Sequence, residues 1–287
     1  MKNTIILSLL LVFTCQFFTH AQWLEKKGNG YLKLSAWALE ANQHYTNSGA
    51  IDPNATRGTF SLSLYGKYGL SKNWDVIAYI PFYVKTYQNH QVSLVTNETL
   101  AEGEENTSFG DMNIGVEYRL FKKSKHAFST TLTLGIPSGD SNGGSDGSYQ
   151  TGDGEFNQEL RFNAGTSFKI SKHSFYAKGY LGFNNRTEGF SDEVKFGFEV
   201  GSSLLKKRLL LLLRSNTVKS QKNGSLNAAN SSGNIFANNV EFVSVGGEVS
   251  WKFTKKIGLS LAYNSAISGK VIYAAPSYSA GIFYLLK

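Results

Sequence analysis

The sequence predicts an all-β chain, a transmembrane antiparallel up-and-down β-barrel of about 12 strands. Three observations predict it. Apolar and polar side chains alternate through most of the chain, as they must when successive residues of a strand face lipid and lumen in turn. Connections alternate too: short basic turns follow every second strand, and longer polar segments follow the others. Finally, aromatic residues and glycine are abundant and proline is scarce, yet no segment after the leader approaches the ~18 apolar residues of a membrane-crossing helix.

The leader comes first. Lys2, an apolar run over residues 5–18 and Thr19-His20-Ala21 read as a secretory signal peptide, residues 1–21, cleaved before Gln22. An uncleaved anchor fits less well because the apolar run is short. The single cysteine, Cys15, leaves with the leader, so neither a disulfide nor a thiolate metal site is expected. Residues 22–287 are then one barrel domain.

Its first strand covers residues 30–39, with Leu32, Leu34, Ala36 and Ala38 facing lipid and Tyr31, Lys33, Ser35 and Trp37 facing in. Residues 40–56 read as a polar loop. The second strand, 58–70, sets Phe60, Leu62 and Leu64 against Ser61, Ser63, Tyr65 and Lys67, and Ser71-Lys72-Asn73 turns the chain. The third, 74–87, puts Val76, Ala78, Ile80, Phe82 and Val84 outside and Asp75, Ile77, Tyr79 and Lys85 inside. Pro81 within it lacks a ladder donor and predicts a bulge or bend. Residues 88–107 read as a second long loop.

A hairpin follows. Met112, Ile114, Val116, Tyr118 and Leu120 face out, opposed to Asp111, Asn113, Gly115, Glu117 and Arg119, before a turn at 122–125 and a strand over 128–136. Residues 138–154, rich in Gly, Ser and Asp, suit a surface loop. The next pair, 156–170 and 174–187, places Glu159, Arg161, Lys169, Tyr176, Lys178, Tyr180 and Arg186 inward. Lys195 and Glu199 lie inside the following strand, and Lys206-Lys207-Arg208 is a turn. Five consecutive leucines from Leu209 favour helix, but Arg214 and Asn216 share a phase with Leu210 and Leu212, so a strand is expected. After a loop over 221–239, strands near 240–253, 257–264 and 275–286 complete the set, with Glu248 and Lys252 inside.

Even strand number and short turns opposite long loops fit bacterial outer-membrane barrels, with the turns periplasmic and the loops extracellular. The phrases YGLSKNWDVIAYIPFY, FGDMNIGVEYRLF and TLTLGIPSGD, in this order, resemble the outer-membrane barrel family named for the meta-pathway of phenol degradation. The resemblance covers most of the chain from about Tyr31. It implies a channel, linked in some relatives to uptake of aromatic compounds, in the outer membrane of a Gram-negative bacterium. The aromatic, apolar end at residues 282–287 suits recognition by the barrel-insertion machinery, although it stops on Lys287 rather than an aromatic residue.

Ionic groups at membrane depth must face water or partners. The candidate pore lining is therefore Lys33, Lys67, Asp75, Asp111, Glu117, Arg119, Glu159, Arg161, Lys178, Lys195, Glu199, Arg214 and Glu248, with Tyr65, Tyr79, Tyr176 and Tyr180 as an aromatic surface. Cations are in surplus there. Lys67, Lys178 and Lys195 read as the free charges. Asp140, Asp146 and Asp153 offer oxygen ligands of the kind calcium takes, but such loops are commonly just solvated, and no metal or cofactor is assigned.

Expected partners are outer-membrane lipid, the insertion machinery and a small solute. Nucleic acid is not among them, because the basic residues are scattered. The leading function is a passive channel for small solutes, aromatic or anionic ones included. A non-conducting structural or adhesive barrel is the first alternative. A lipid-modifying barrel enzyme is the second; it is disfavoured because no histidine sits mid-strand beside a serine.

Overall fold

The computed structural model describes residues 24–93, 95–226 and 235–287; the leader lies outside them. Its strands are β1 (Gly30–Tyr45), β2 (Ile51–Gly69), β3 (Trp74–Gln88), β4 (Gln91–Val92), β5 (Thr99–Ala101), β6 (Glu104–Ser108), β7 (Met112–Lys123), β8 (His126–Ile136), β9 (Asn157–Ile170), β10 (His173–Asn185), β11 (Glu193–Leu204), β12 (Leu209–Ser220), β13 (Glu241–Lys252), β14 (Ile257–Lys270), β15 (Ile272–Tyr273) and β16 (Pro276–Leu286). Twelve of them form the wall of a closed antiparallel barrel, because β1 pairs with both β2 and β16. The short β6 and β15 extend the wall beside β3 and β1, and β4 pairs with β5 as a separate hairpin.

The wall is inside out relative to a soluble domain. Thr59, Ser61, Ser63, Ser129 and Ser260 are buried toward the interior, whereas Leu34, Leu134, Phe162, Phe198 and Leu261 stand exposed on the outer face. Closure leaves no sheet edge, and every ladder hydrogen bond is made inside the wall, which is the condition for strands to cross lipid. The leucine run at 209–213 belongs to strand β12, with Leu212 buried inward and Leu211 and Leu213 exposed.

Two loop expectations are corrected. Residues 40–56 are mostly strand: β1 runs to Tyr45 and β2 starts at Ile51, so only residues 46–50 connect them. The segment 88–107 holds β4, β5 and β6. A membrane needs only ~9–11 tilted residues per strand, while β2 has 19. The surplus pairs above the lipid, where polar residues are compatible with a ladder.

The bulge expected at Pro81 is present. The β2–β3 register slips between Leu62 and Leu64, so that Ser63 faces the Pro81-Phe82 pair. On the other side, β3 pairs with β7 up to Tyr79 and with β6 from Val84. The extra residue exchanges the faces of everything beyond it. Val84, Thr86 and Gln88 are therefore buried inward, correcting the outward placement of Val84. Lys85 is likewise corrected: it leaves the lumen, pairs with Glu105 and lies 6.0 Å from the Tyr87 ring. Gly110 closes the break, its N–H donating to the Pro81 carbonyl at 2.8 Å. A Cβ there would meet Pro81 Cγ at 2.8 Å, which is why a glycine follows Phe109.

Candidate functional site

The interior holds four adjoining cavities that share walls along the barrel. The largest, about 720 Å³, lies at the short-turn end and is lined by Lys33, Tyr176, Glu199, Arg214 and Glu248. A cavity of about 470 Å³ follows at mid-barrel, with Glu117, Glu159, Arg161 and Lys195 in its wall; it shares Tyr65, Lys67 and Lys178 with the first. Toward the long loops are a cavity of about 470 Å³ beside Trp37, Tyr79, Pro81 and Asp111, and one of about 280 Å³ beside Arg186 and Glu193.

Alternation brings these groups inside, and cross-strand register decides their partners. Lys67 on β2 reaches over β3 to Glu117 at 2.6 Å and lies 3.3 Å from Asp75. Glu117 also accepts from Ser129 at 2.5 Å. Lys195 on β11 reaches past β10 to Glu159 at 3.3 Å, and meets Glu193 at 3.1 Å. Arg161 pairs with Glu159 at 2.5 Å while its guanidinium stacks 4.2 Å from the Tyr180 ring centroid. Arg214 joins Glu199 and Glu248, and Lys33 comes to Glu248 at 3.4 Å from the far side of two strands. Lys178 and the Tyr176 hydroxyl share Glu199, at 3.1 and 2.8 Å.

The structure thus overturns one sequence expectation. Lys67, Lys178 and Lys195 are paired: the acids of Lys67 and Lys178 lie on neighbouring or next-neighbouring strands, and Lys195 takes Glu159 two strands away together with Glu193, two residues before it in the chain. Two candidate lining residues also sit elsewhere. Asp75 is wholly buried beneath Lys67, where it accepts the Glu25 N–H at 2.8 Å. Arg119 is at the turn end, donating to the Lys72 carbonyl at 2.7 Å. Tyr65 and Tyr79 face the cavities, Tyr65 in edge contact with Tyr31, and Tyr180 donates to Asn216 at 3.0 Å.

One asymmetry runs through the pairs. Side-chain exposure is 42% for Lys178 against 13% for Glu199, 36% for Arg161 against 13% for Glu159, and 31% for Arg214 against 11% for Glu248. Short carboxylate stems stay against the wall, and the longer cationic stems carry their heads over them into the cavity.

Two regions escaped the sequence reading. Arg186 was placed inward by alternation, but its role was not legible. It donates to Asp153 at 2.9 Å and Glu193 at 3.1 Å, pairs with Glu155, and packs 4.3 Å from the Phe190 ring. The phase of Lys195 and Glu199 could have flagged Glu193. The other region is residues 235–237, where the loop before β13 folds inward and Ile235 packs on the Leu39, Ala41 and Tyr273 cluster. Leu24 and Glu25 similarly occupy the opposite mouth, Leu24 buried and Glu25 on the cavity wall.

The FGD and PSGD phrases form one joint at the loop end. Asp111 accepts the N–H groups of Gly139 at 2.9 Å and Asp153 at 2.7 Å, and Ser138 donates to the Gly110 carbonyl at 2.7 Å. The suspected calcium carboxylates are separately engaged: Asp140 by Asn106 and Asn142, Asp146 by Ser148, and Asp153 by Arg186. Among the described residues no three potential metal ligands cluster.

No family model matches the chain, and no curated protein matches it. Solved structures do. An outer-membrane channel from Pseudomonas putida F1 superposes with a TM-score of 0.56 at 12% identity, over 94% of this chain and 99% of that one. The NanC porin superposes with a TM-score of 0.53 at 9% identity, over 88% of this chain and 98% of that one. At such identities the likeness is one of fold, that of outer-membrane barrels.

Proposed function

We propose that this chain is a passive outer-membrane channel for small solutes, with turns in the periplasm and loops outside, and that its lumen favours anions. The observation that carries the proposal is the recessed carboxylate. Each acid in the mid-lumen is spent on the wall side of a pair, so a passing solute meets ammonium and guanidinium groups first. Basic groups so placed lower the entry energy of an anion. Tyr65, Tyr79 and the Arg161–Tyr180 stack supply flat surfaces beside the charges, which suits a carboxylate that carries a ring. The motif resemblance to the meta-pathway family, and the channels that share the fold, support the transport reading.

Reversal potential across a salt gradient in a planar bilayer tests it. Wild type is expected to prefer anions, less so as salt rises, since the screening length falls from ~10 Å at 0.1 M to ~3 Å at 1 M. Changing Lys178 and Arg161 to glutamine should remove most of the preference. Cation preference in wild type would overturn it. A silent bilayer would favour the non-conducting barrel, a reading that draws on residues 235–237 and 24–25 lying in the two mouths.

A further inference from the structure

A recess of about 970 Å³ indents the outer wall of the barrel over β10–β14. Its floor is made by two small outward residues, Ser202 and Gly247, in a face otherwise built of large apolar side chains. Phe175, Leu211, Leu213 and Leu261 form its sides. Leu213 is 71% exposed and stands proud of the wall, so this is a concavity rather than a flat patch.

The recess runs from the short-turn end to mid-barrel. His173 and Leu204 mark its lower limit, and Tyr263 marks the upper. Tyr263 lies six residues above the first residue of β14, a height of ~15 Å for strands rising ~3.3 Å per residue at ~40° tilt. That is half of a ~30 Å hydrocarbon core, the depth of one leaflet.

Charge says what the lower rim would hold. The turns under the recess are Ser171-Lys172, residues 205–208 with Lys206, Lys207 and Arg208, and residues 253–256 with Lys255 and Lys256. None contains an acidic residue, and neither do the other two turns at this end, residues 70–73 and 124–125. Lys172, His173 and Lys206 are exposed. A second copy of the chain in the same membrane would face this rim with the same basic turns at the same height, and repulsion would oppose the contact.

We propose that the recess is a binding site for one phospholipid of the periplasmic leaflet, its acyl chains in the concavity and an anionic headgroup on Lys172, His173 and Lys206. The site rests on the outer-membrane reading but not on conduction. Basic groups near a membrane surface select anionic lipid by attraction over a few ångströms, while shape selects the chains.

Native mass spectrometry of the barrel in non-ionic detergent, titrated with phosphatidylglycerol or phosphatidylethanolamine, tests it. Wild type should retain one phosphatidylglycerol in preference to phosphatidylethanolamine. Changing Lys172 and Lys206 to glutamine should erode that preference by roughly five-fold per charge. Lys125→Gln, on a turn away from the recess, should leave it unchanged. Ser202→Leu should reduce retention of both lipids, with heat-shifted gel mobility confirming a folded barrel. Equal retention of the two lipids by wild type, or an equal effect of Lys125→Gln, would overturn the site. A dimer peak that displaces lipid would assign the recess to a second copy and overturn it as well. A channel that is silent in a bilayer leaves these outcomes untouched.

Discussion

Residues 171–172 suffice to turn β9 into β10, whereas residues 221–240 join β12 to β13. The contrast holds around much of the barrel. At the turn end the connections are brief, basic and without acids, and all their lysines but the half-buried Lys125 are exposed. At the loop end residues 46–50 are as brief as a turn, but the connections 89–111, 137–156 and 186–192 are longer, bear carboxylates and are tied together by side chains. Arg186 gathers Asp153 and Glu155 from one loop and Glu193 from a strand; Asp111 holds the amides of Gly139 and Asp153; Asn238 accepts the Ser191 N–H at 2.9 Å. Ends built so differently face different surroundings. The turn end presents simple charge, and the other presents a fixed relief over the lumen.

Orientation is the prediction with the largest effect, because it is all or none. A cysteine replacing Asp146 should react with an impermeant maleimide in intact cells, and one replacing Lys172 should react only after lysis. The reverse pattern would invert the barrel and break the assignment of the ends.

Stability should differ sharply between the two ends. The Arg186 side chain is only 5% exposed, among three carboxylates. Arg186→Met should cost about 3–5 kcal/mol, the usual penalty for stranding buried charge, read as a lower urea midpoint for unfolding in lipid vesicles. Lys206→Gln at the turn end should stay within ~0.5 kcal/mol. Similar losses at both sites would show that the loop network is not a stabilising core.

The smallest effect concerns Asp192, in the connection between β10 and β11. The Arg186 backbone N–H, and after it the Asn223 amide, hold its carboxyl below the ordinary aspartate value. A depressed folded pKa adds stability above the unfolded value of ~3.9 and loses it as pH falls through the folded one. Asp192 should therefore titrate below a free aspartate by carboxyl carbon NMR. The link between this loop and residue 223 should loosen only in that acid range. A normal titration would remove this tie from the loop network.

Much of the barrel was legible because its grammar is local. A period of two assigns faces, Lys-rich and Ser-rich tripeptides mark turns, and an unpaired proline nitrogen marks a bulge. Ile114, Val116, Glu117, Arg161 and Leu212 all fall where alternation puts them. The same logic failed just past Pro81, where one extra residue turned Lys85 outward and Val84 in. It failed again over residues 40–56, since polarity marks exposure to water, which a strand above the membrane also has.

The sequence by itself therefore determined the strands, their turns and the inward set of ionic side chains, because each depends on neighbours in the chain. Only the closed barrel decided who pairs with whom. Lys33 and Glu248 are 215 residues apart and meet because β1 returns to β16 and the lumen is narrow enough for a lysine to reach past two strands. Register places Lys67 on Glu117 and Lys195 on Glu159, and stem length then lifts the cations over the acids. Whether a charge is spent or available is a property of that curvature and register, which no run of consecutive residues contains.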